Sequence, residues 1–199
     1  MNMRMRPIAI IVFIGIVTAL ANAGPFGIEM GMTLQQIESL SDAAAKEFGI
    51  GYEIQPPKVH PSFDVYVALI SPTLGVYKIV AFGKSKTVSS FGTELKSDFD
   101  KIRKQIEVVY GPSKVFDFLK YGSIWKEPND WMMGLKQKER TLVAFWDDET
   151  GADMSSTVAN IMLEANATSS SSGYLSLSYE FDNAQVAFDE REASESSVF

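Results

Sequence analysis

The chain contains no cysteine and a single histidine, His60, among its 199 residues. The missing thiols exclude disulfides, thiolate metal sites, cysteine nucleophiles and a lipidated N-terminal cysteine together. One imidazole with no thiol leaves a zinc site short of ligands, so neither a metal centre nor a cofactor is expected. Positive charge is also scarce: Lys and Arg number 18 against 25 Asp and Glu, a net charge of −7. A chain of that sign has no bulk attraction for a polyanion, and nucleic acid is not expected as a partner. Apolar material is plentiful, with 46% hydrophobic and 12% aromatic residues, enough for one substantial core.

Long apolar runs are missing except at the start. Arg4 and Arg6 precede an uncharged stretch from Ile8 to Leu20, which ends in Ala21-Asn22-Ala23, a small-x-small cleavage site. As a helix this stretch reaches roughly 20 Å, short of the roughly 30 Å hydrocarbon core. Residues 1–23 therefore read as a cleaved secretory signal peptide, with the mature product starting at Gly24 and having no integral membrane span. Loss of Arg4 and Arg6 takes the net charge from −7 to −9. A cysteine-free exported protein fits a bacterial periplasm, or secretion, better than a eukaryotic route that relies on disulfides. Asn166-Ala167-Thr168 matches the glycosylation sequon, a triplet common by chance.

Two helices are expected. Thr33 with Gln36 three residues on is a capping box, and Leu34, Ile37, Leu40 and Ala44 then share a face as far as a stop at Phe48-Gly49. After Gly92, with Thr93 as cap, Leu95, Phe99, Ile102, Ile106 and Val109 recur at helical spacing until Tyr110-Gly111-Pro112. Asp64 to Ile70 and Leu74 to Phe82 read as a hairpin. Further strands are expected at Val115 to Leu119, Trp131 to Leu135, Thr141 to Trp146, Val158 to Thr168 and Gly173 to Phe181. The fold class is α+β, an antiparallel sheet with two main helices on one face. Residues 24–183 form one domain, and the acidic segment 184–199 reads as a weakly ordered tail or a weak helix.

Both helices open after Phe-Gly, at Phe26-Gly27 and Phe91-Gly92, and close on an aromatic-glycine pair. The halves read either as diverged helix-plus-strands repeats or as independent uses of the same capping chemistry. The stretch from Phe26 through Gly31-Met32-Thr33 to Ile37 resembles the Gly-Met-Thr helix start of SmpA/OmlA-type and β-lactamase-inhibitor-protein-type envelope modules. That resemblance covers about a dozen residues and implies a module that binds another protein through an open sheet face and its loops. The chain departs from the first group in lacking the lipidated cysteine and from the second in lacking disulfides.

Several motifs suggest chemistry. Ser123-Ile124-Trp125-Lys126 has the Ser-x-x-Lys spacing of penicillin-recognising enzymes, but Gly122 and Pro128 bracket it and disfavour the required helix. Gly83-Lys84-Ser85 ends like a phosphate loop and lacks the earlier glycine. His60 sits in a proline-rich loop with no carboxylate or nucleophile beside it in sequence. Asp147-Asp148-Glu149 and Asp153 form an acidic loop whose Gly151 is misplaced for an EF-hand.

Aromatic residues concentrate between Phe116 and Trp131. Tyr121, Trp125, Trp131 and Lys126 are the candidate binding residues, because rigid rings in loops fill a partner's pocket. The competing reading has the same rings closing the end of the core. The expected function is an exported binding module of the bacterial envelope, its partner another envelope or exported protein. The alternatives are a periplasmic hydrolase acting on wall or glycan material through carboxylates, and an inhibitor or immunity-type protective protein.

Overall fold

The computed structural model describes residues 24–154 and 157–196. The expected signal peptide at 1–23 lies outside the described residues. The first helix, α1 (Leu34–Ser41), begins with the anticipated capping box: Thr33 Oγ1 accepts from the Gln36 N–H and Gln36 Oε1 accepts from the Thr33 N–H. It ends earlier than its apolar spacing predicts. Asp42 turns left-handed at φ +52°, and Glu38 accepts the Ala45 N–H at 2.8 Å, drawing the chain out of the helix. Of the expected face only Ile37 is buried, and Leu40 is exposed. The chain then forms β1 (Lys46–Phe48) and β2 (Gly51–Ile54), so Phe48-Gly49 is a hairpin turn rather than a helix stop. Both structures place glycine at positive φ, which is why the signal reads either way.

The hairpin β3 (Val65–Ser71) and β4 (Gly75–Phe82) follows as expected, and then the two-residue β5 (Lys86–Thr87). The long helix α2 (Thr93–Tyr110) buries Leu95, Phe99, Ile102 and Ile106, whereas Val109 is exposed. Its cap is Gly92 at φ +67°, with no side-chain cap bond; Thr93 is the first helical residue and not the cap. Next come β6 (Lys114–Leu119), α3 (Trp131–Lys136), β7 (Arg140–Trp146), β8 (Val158–Ser169), β9 (Ser172–Phe181) and α4 (Ala184–Ser196). The segment expected as a strand at Trp131–Leu135 is α3. A short apolar run cannot be assigned from periodicity alone, and here Pro128 opens a 3-10 turn that leads into the helix.

The nine strands among the described residues belong to one antiparallel sheet, ordered β1-β2-β3-β4-β9-β8-β7-β6, with β5 also on β9. The order has a plan. Each long half is a helix followed by a meander of four strands, β1 to β4 after α1 and β6 to β9 after α2, and the two last strands pair in the middle. Antiparallel β4 and β9 place the halves about a local two-fold axis perpendicular to the sheet, which sends α1 and α2 to the same side. On that side lies the main core: Ile37 of α1, the buried face of α2, Trp131, Met132 and Leu135 of α3, and the inward residues of the strands, among them Ile79, Trp146, Ile161, Leu163, Leu177 and Phe181. The alternation of Leu175, Leu177, Tyr179 and Phe181 inward against Ser176, Ser178 and Glu180 outward follows the period of a strand. Phe26, Tyr66, Tyr110 and Tyr179 meet edge-on or tilted in this core.

The opposite side of the sheet, its back face, carries a second and smaller core. Val67, Leu69 and Tyr77 are covered there by Ala184 and Ala187 of α4, with Phe188 edge-on to Tyr77 at 5.3 Å. α4 is anchored by Glu190, whose carboxylate accepts from the hydroxyls of Ser71 and Thr73. The acidic segment is thus helical as far as Ser196 and lies over β3 and β4. None of the helices is long and apolar enough to cross a membrane among the described residues.

Candidate functional site

The strand register fixes which side chains share the back face. One row crosses all the long strands as Phe116, Val143, Glu164, Ser176, Phe82 and Val65. The next runs Lys114, Phe145, Met162, Ser178, Val80 and Val67. α4 covers the β3–β4 end of these rows, and no described element covers the β6–β8 end. Phe116 and Phe145 meet there edge-on at 6.0 Å, and the Lys114 ammonium lies 5.3 Å from the Phe116 ring. A shallow depression of about 300 Å³ opens beside them, lined by Phe145, Met162, Ser178 and Asn160, with the carboxylates of Asp147 and Glu180 on its rim. Glu180 is engaged by Lys78 at 2.7 Å.

The aromatic loop before α3 divides. Trp131 is only 4% exposed and belongs to the main core, wedged between Gly92 and the Lys96 ammonium, which sits 4.2 Å from its ring centre. Burial there lowers the Lys96 pKa, partly offset by the nearby Asp117. Tyr121 is fully exposed and Lys126 is exposed, while Trp125 is half-buried against Gly134 of α3. The four candidates therefore do not form one surface: Trp131 closes the core, and Tyr121, Trp125 and Lys126 ride on the loop above it. Phe145 and Met162 go unnoticed in the sequence, because their adjacency comes from the β7–β8 register and each reads locally as one more strand residue.

The other motifs resolve into local structure. Ser123 and Lys126 lie in an irregular loop rather than on a helix, and the Ser123 hydroxyl donates to Glu139 at 2.5 Å. Ser85, in the β4–β5 loop, shares its hydroxyl with Ser172 and Thr168 of the β8–β9 hairpin. His60 accepts the Ser62 N–H through Nδ1 and packs its ring at 5.7 Å from Phe63. Asp147 caps a 3-10 turn by accepting from the Thr150 N–H, and the Asp153 N–H ties the loop to the Tyr110 carbonyl. No group of three or more metal-ligating side chains is found among the described residues. Asn166 is buried on the back face, where it donates to Ser176 and accepts from Lys138, so its amide is engaged inside the fold.

Within the main core, burial and then the neighbouring Tyr110 push the Tyr179 phenol far above its ordinary range. Burial, with Asp64 adding to it, likewise raises Tyr66, while its hydrogen bond to His60 acts the other way. Both rings belong to the core, and the Tyr66 hydroxyl reaches its border, where it accepts from the His60 N–H and donates to the His60 carbonyl. Compared with protein-family models, curated proteins and solved structures, the chain matches none.

Proposed function

We propose that this protein is an exported binding module of the bacterial envelope that takes another protein on the uncovered β6–β8 end of its back face. The carrying observation is the contrast between the two ends of that face. Val67, Leu69 and Tyr77 are roofed by α4, whereas Phe116, exposed, and Phe145 and Met162, half-buried, share that face with no described element over them. Exposed apolar surface with a polar rim is the usual mark of a contact site. The Gly-Met-Thr helix start supports the same reading through its resemblance to envelope modules that bind by a sheet face. Export rests on the basic, apolar and small-residue pattern of residues 1–23, and periplasmic or secreted localisation follows from it.

The acid rim gives the protective, inhibitor-type reading its own support, since Asp147 and Glu180 beside Phe145 favour a basic partner. The hydrolase alternative has those same two carboxylates, of which Glu180 is held by Lys78. One experiment tests the binding reading. The processed protein and a Phe145→Ser, Met162→Ser variant are used as baits against envelope extract, with the bait's intact mass fixing its first residue. A partner recovered at least about tenfold less by the variant supports the proposal. Equal recovery by both baits rejects the face, and a bait mass that still includes residues 1–23 rejects export by signal cleavage.

A further inference from the structure

The sheet ends in two strands with very different edges. At one end β1 is three residues long, two of them the charged Lys46 and Glu47. At the other, β6 is a six-residue strand, Lys-Val-Phe-Asp-Phe-Leu, with no bulge in its register to β7. Val115, Phe116 and Phe118 are 44%, 37% and 54% exposed, and among the described residues nothing pairs with the outer side of the strand. A long, straight, apolar edge is the kind that folded proteins ordinarily blunt or pair.

The phase of the β6–β7 ladder determines which backbone groups remain. The Lys120 N–H donates to the Glu139 carbonyl, and residues 120 and 139 continue the β6–β7 register beyond Leu119 and Arg140. Hydrogen-bonded pairs alternate along an antiparallel ladder, so Phe116 and Phe118 bond to β7 while Val115, Asp117 and Leu119 direct their N–H and C=O groups outward. These are the groups a further strand would take up.

We propose that the occupant is a second copy of this chain, paired antiparallel through β6 about a two-fold axis at Phe116. The charges choose the copy and the register. A two-fold antiparallel pairing must set residues of equal parity opposite one another, so within the strand the axis passes through residue 115, 116, 117 or 118. At 117 it brings Asp117 against Asp117 and Lys114 against Lys120, both repulsive. At 115 only residues 114–116 pair before the strand begins, and at 118 the pairing runs off its other end, because the chain turns where the Ser123 N–H meets the Lys120 carbonyl. At 116 every partner lies within residues 114–118. Phe116 meets its own copy in a close, non-hydrogen-bonded pair. Lys114 lies over the partner's Phe118, as it already lies near Phe116. Val115 and Asp117 exchange backbone hydrogen bonds, and Asp117 keeps its ion pair with Arg140 at 3.0 Å.

The contact closes. β1 is too short and too charged to accept β6, so the pairing is isologous and stops at two chains instead of running into a filament. Because the axis is perpendicular to the sheet, both back faces point the same way and form one surface across sixteen consecutive strands.

The absence of cysteine from the native chain makes the test clean. Mass is measured by sedimentation from about 1 μM to about 1 mM for the processed protein and for Val115→Pro. Proline at 115 removes an outward N–H and leaves the β7 ladder intact, and circular dichroism and a melting curve verify its fold. The expected result is a dimer whose dissociation constant rises at least about tenfold in the variant. Phe116→Cys and Phe118→Cys variants are oxidised in parallel; only the first forms a disulfide-linked dimer in the proposed register. A monomer throughout the range, a dimer indifferent to a folded Val115→Pro, or preferential linking at residue 118 overturns the proposal. The readout is independent of partner capture, so this inference and the binding reading fail separately.

Discussion

A methyl group added at Gly92 would lie 2.1 Å from the Trp131 ring, on a residue held at φ +67°. The site therefore demands glycine twice over, once for the backbone region and once for the space the indole occupies. Gly92→Ala is expected to cost roughly 2–4 kcal/mol in urea unfolding, from left-handed strain plus overpacking. Gly122 separates the two terms, since it also has positive φ, at +82°, but nothing lies within 4 Å of its added carbon. Gly122→Ala is expected to cost about 1 kcal/mol. Equal losses at the two positions would show that the Trp131 contact contributes nothing. The same contact explains why Trp131 cannot belong to the loop surface with Tyr121: the glycine that caps α2 is also the floor on which the ring sits.

Among the elements, α4 is the most lightly attached. It buries two alanines and half of Phe188, and a cavity of about 670 Å³ runs between it and the β3–β4 turn, lined by Ile50, Ile70 and Tyr77. Phe188→Ala is expected to cost about 1–2 kcal/mol, felt locally: amide exchange in residues 184–196 speeds up while β7–β9 keep their protection. Uniform loss of protection across the sheet would contradict this. The longer strands and α2 are legible in the sequence because each contains enough residues to display its period, as Leu95, Phe99, Ile102 and Ile106 do. β1, β2 and β5 are not, since two to four residues carry no period, and their pairing is imposed by neighbours such as Val67 and Ala68 opposite Glu53 and Tyr52. α4 is legible only as the weaker of two readings, a weak helix, because with alanines as its buried contacts its apolar stripe is weak. Of the candidate site, the aromatic richness of residues 116–131 is legible, but not which rings face out. Burial of Trp131 depends on Gly92, and the row through Phe145 and Met162 exists only once the register is set.

For the whole molecule, acidity sets the response to pH. Partial burial works to raise the Glu107 pKa, but hydrogen bonds from Ser113 and the Arg103 guanidinium at 2.7 Å outweigh it and hold the carboxyl below its usual range. A carboxylate depressed in the folded state contributes stability that is complete above the ordinary Glu pKa of about 4.3 and is lost as pH falls through the lower folded value. Urea midpoints are therefore expected to fall below about pH 4, and Glu107→Gln to lower the neutral-pH midpoint while flattening that acid slope. An unchanged slope would remove Glu107 from the account.

The central β4–β9 pairing also governs the order in time. Lys78 and Glu180, joined across it, are 102 positions apart, and β9 is the last strand made. Until it arrives, β4 and β8 each have an open side, and the first meander is half a sheet with an exposed apolar border. Closing so distant a contact is slow on entropic grounds. The two halves share a plan, yet neither can finish alone: folding waits for the C-terminal strand to slide between them and complete both at once.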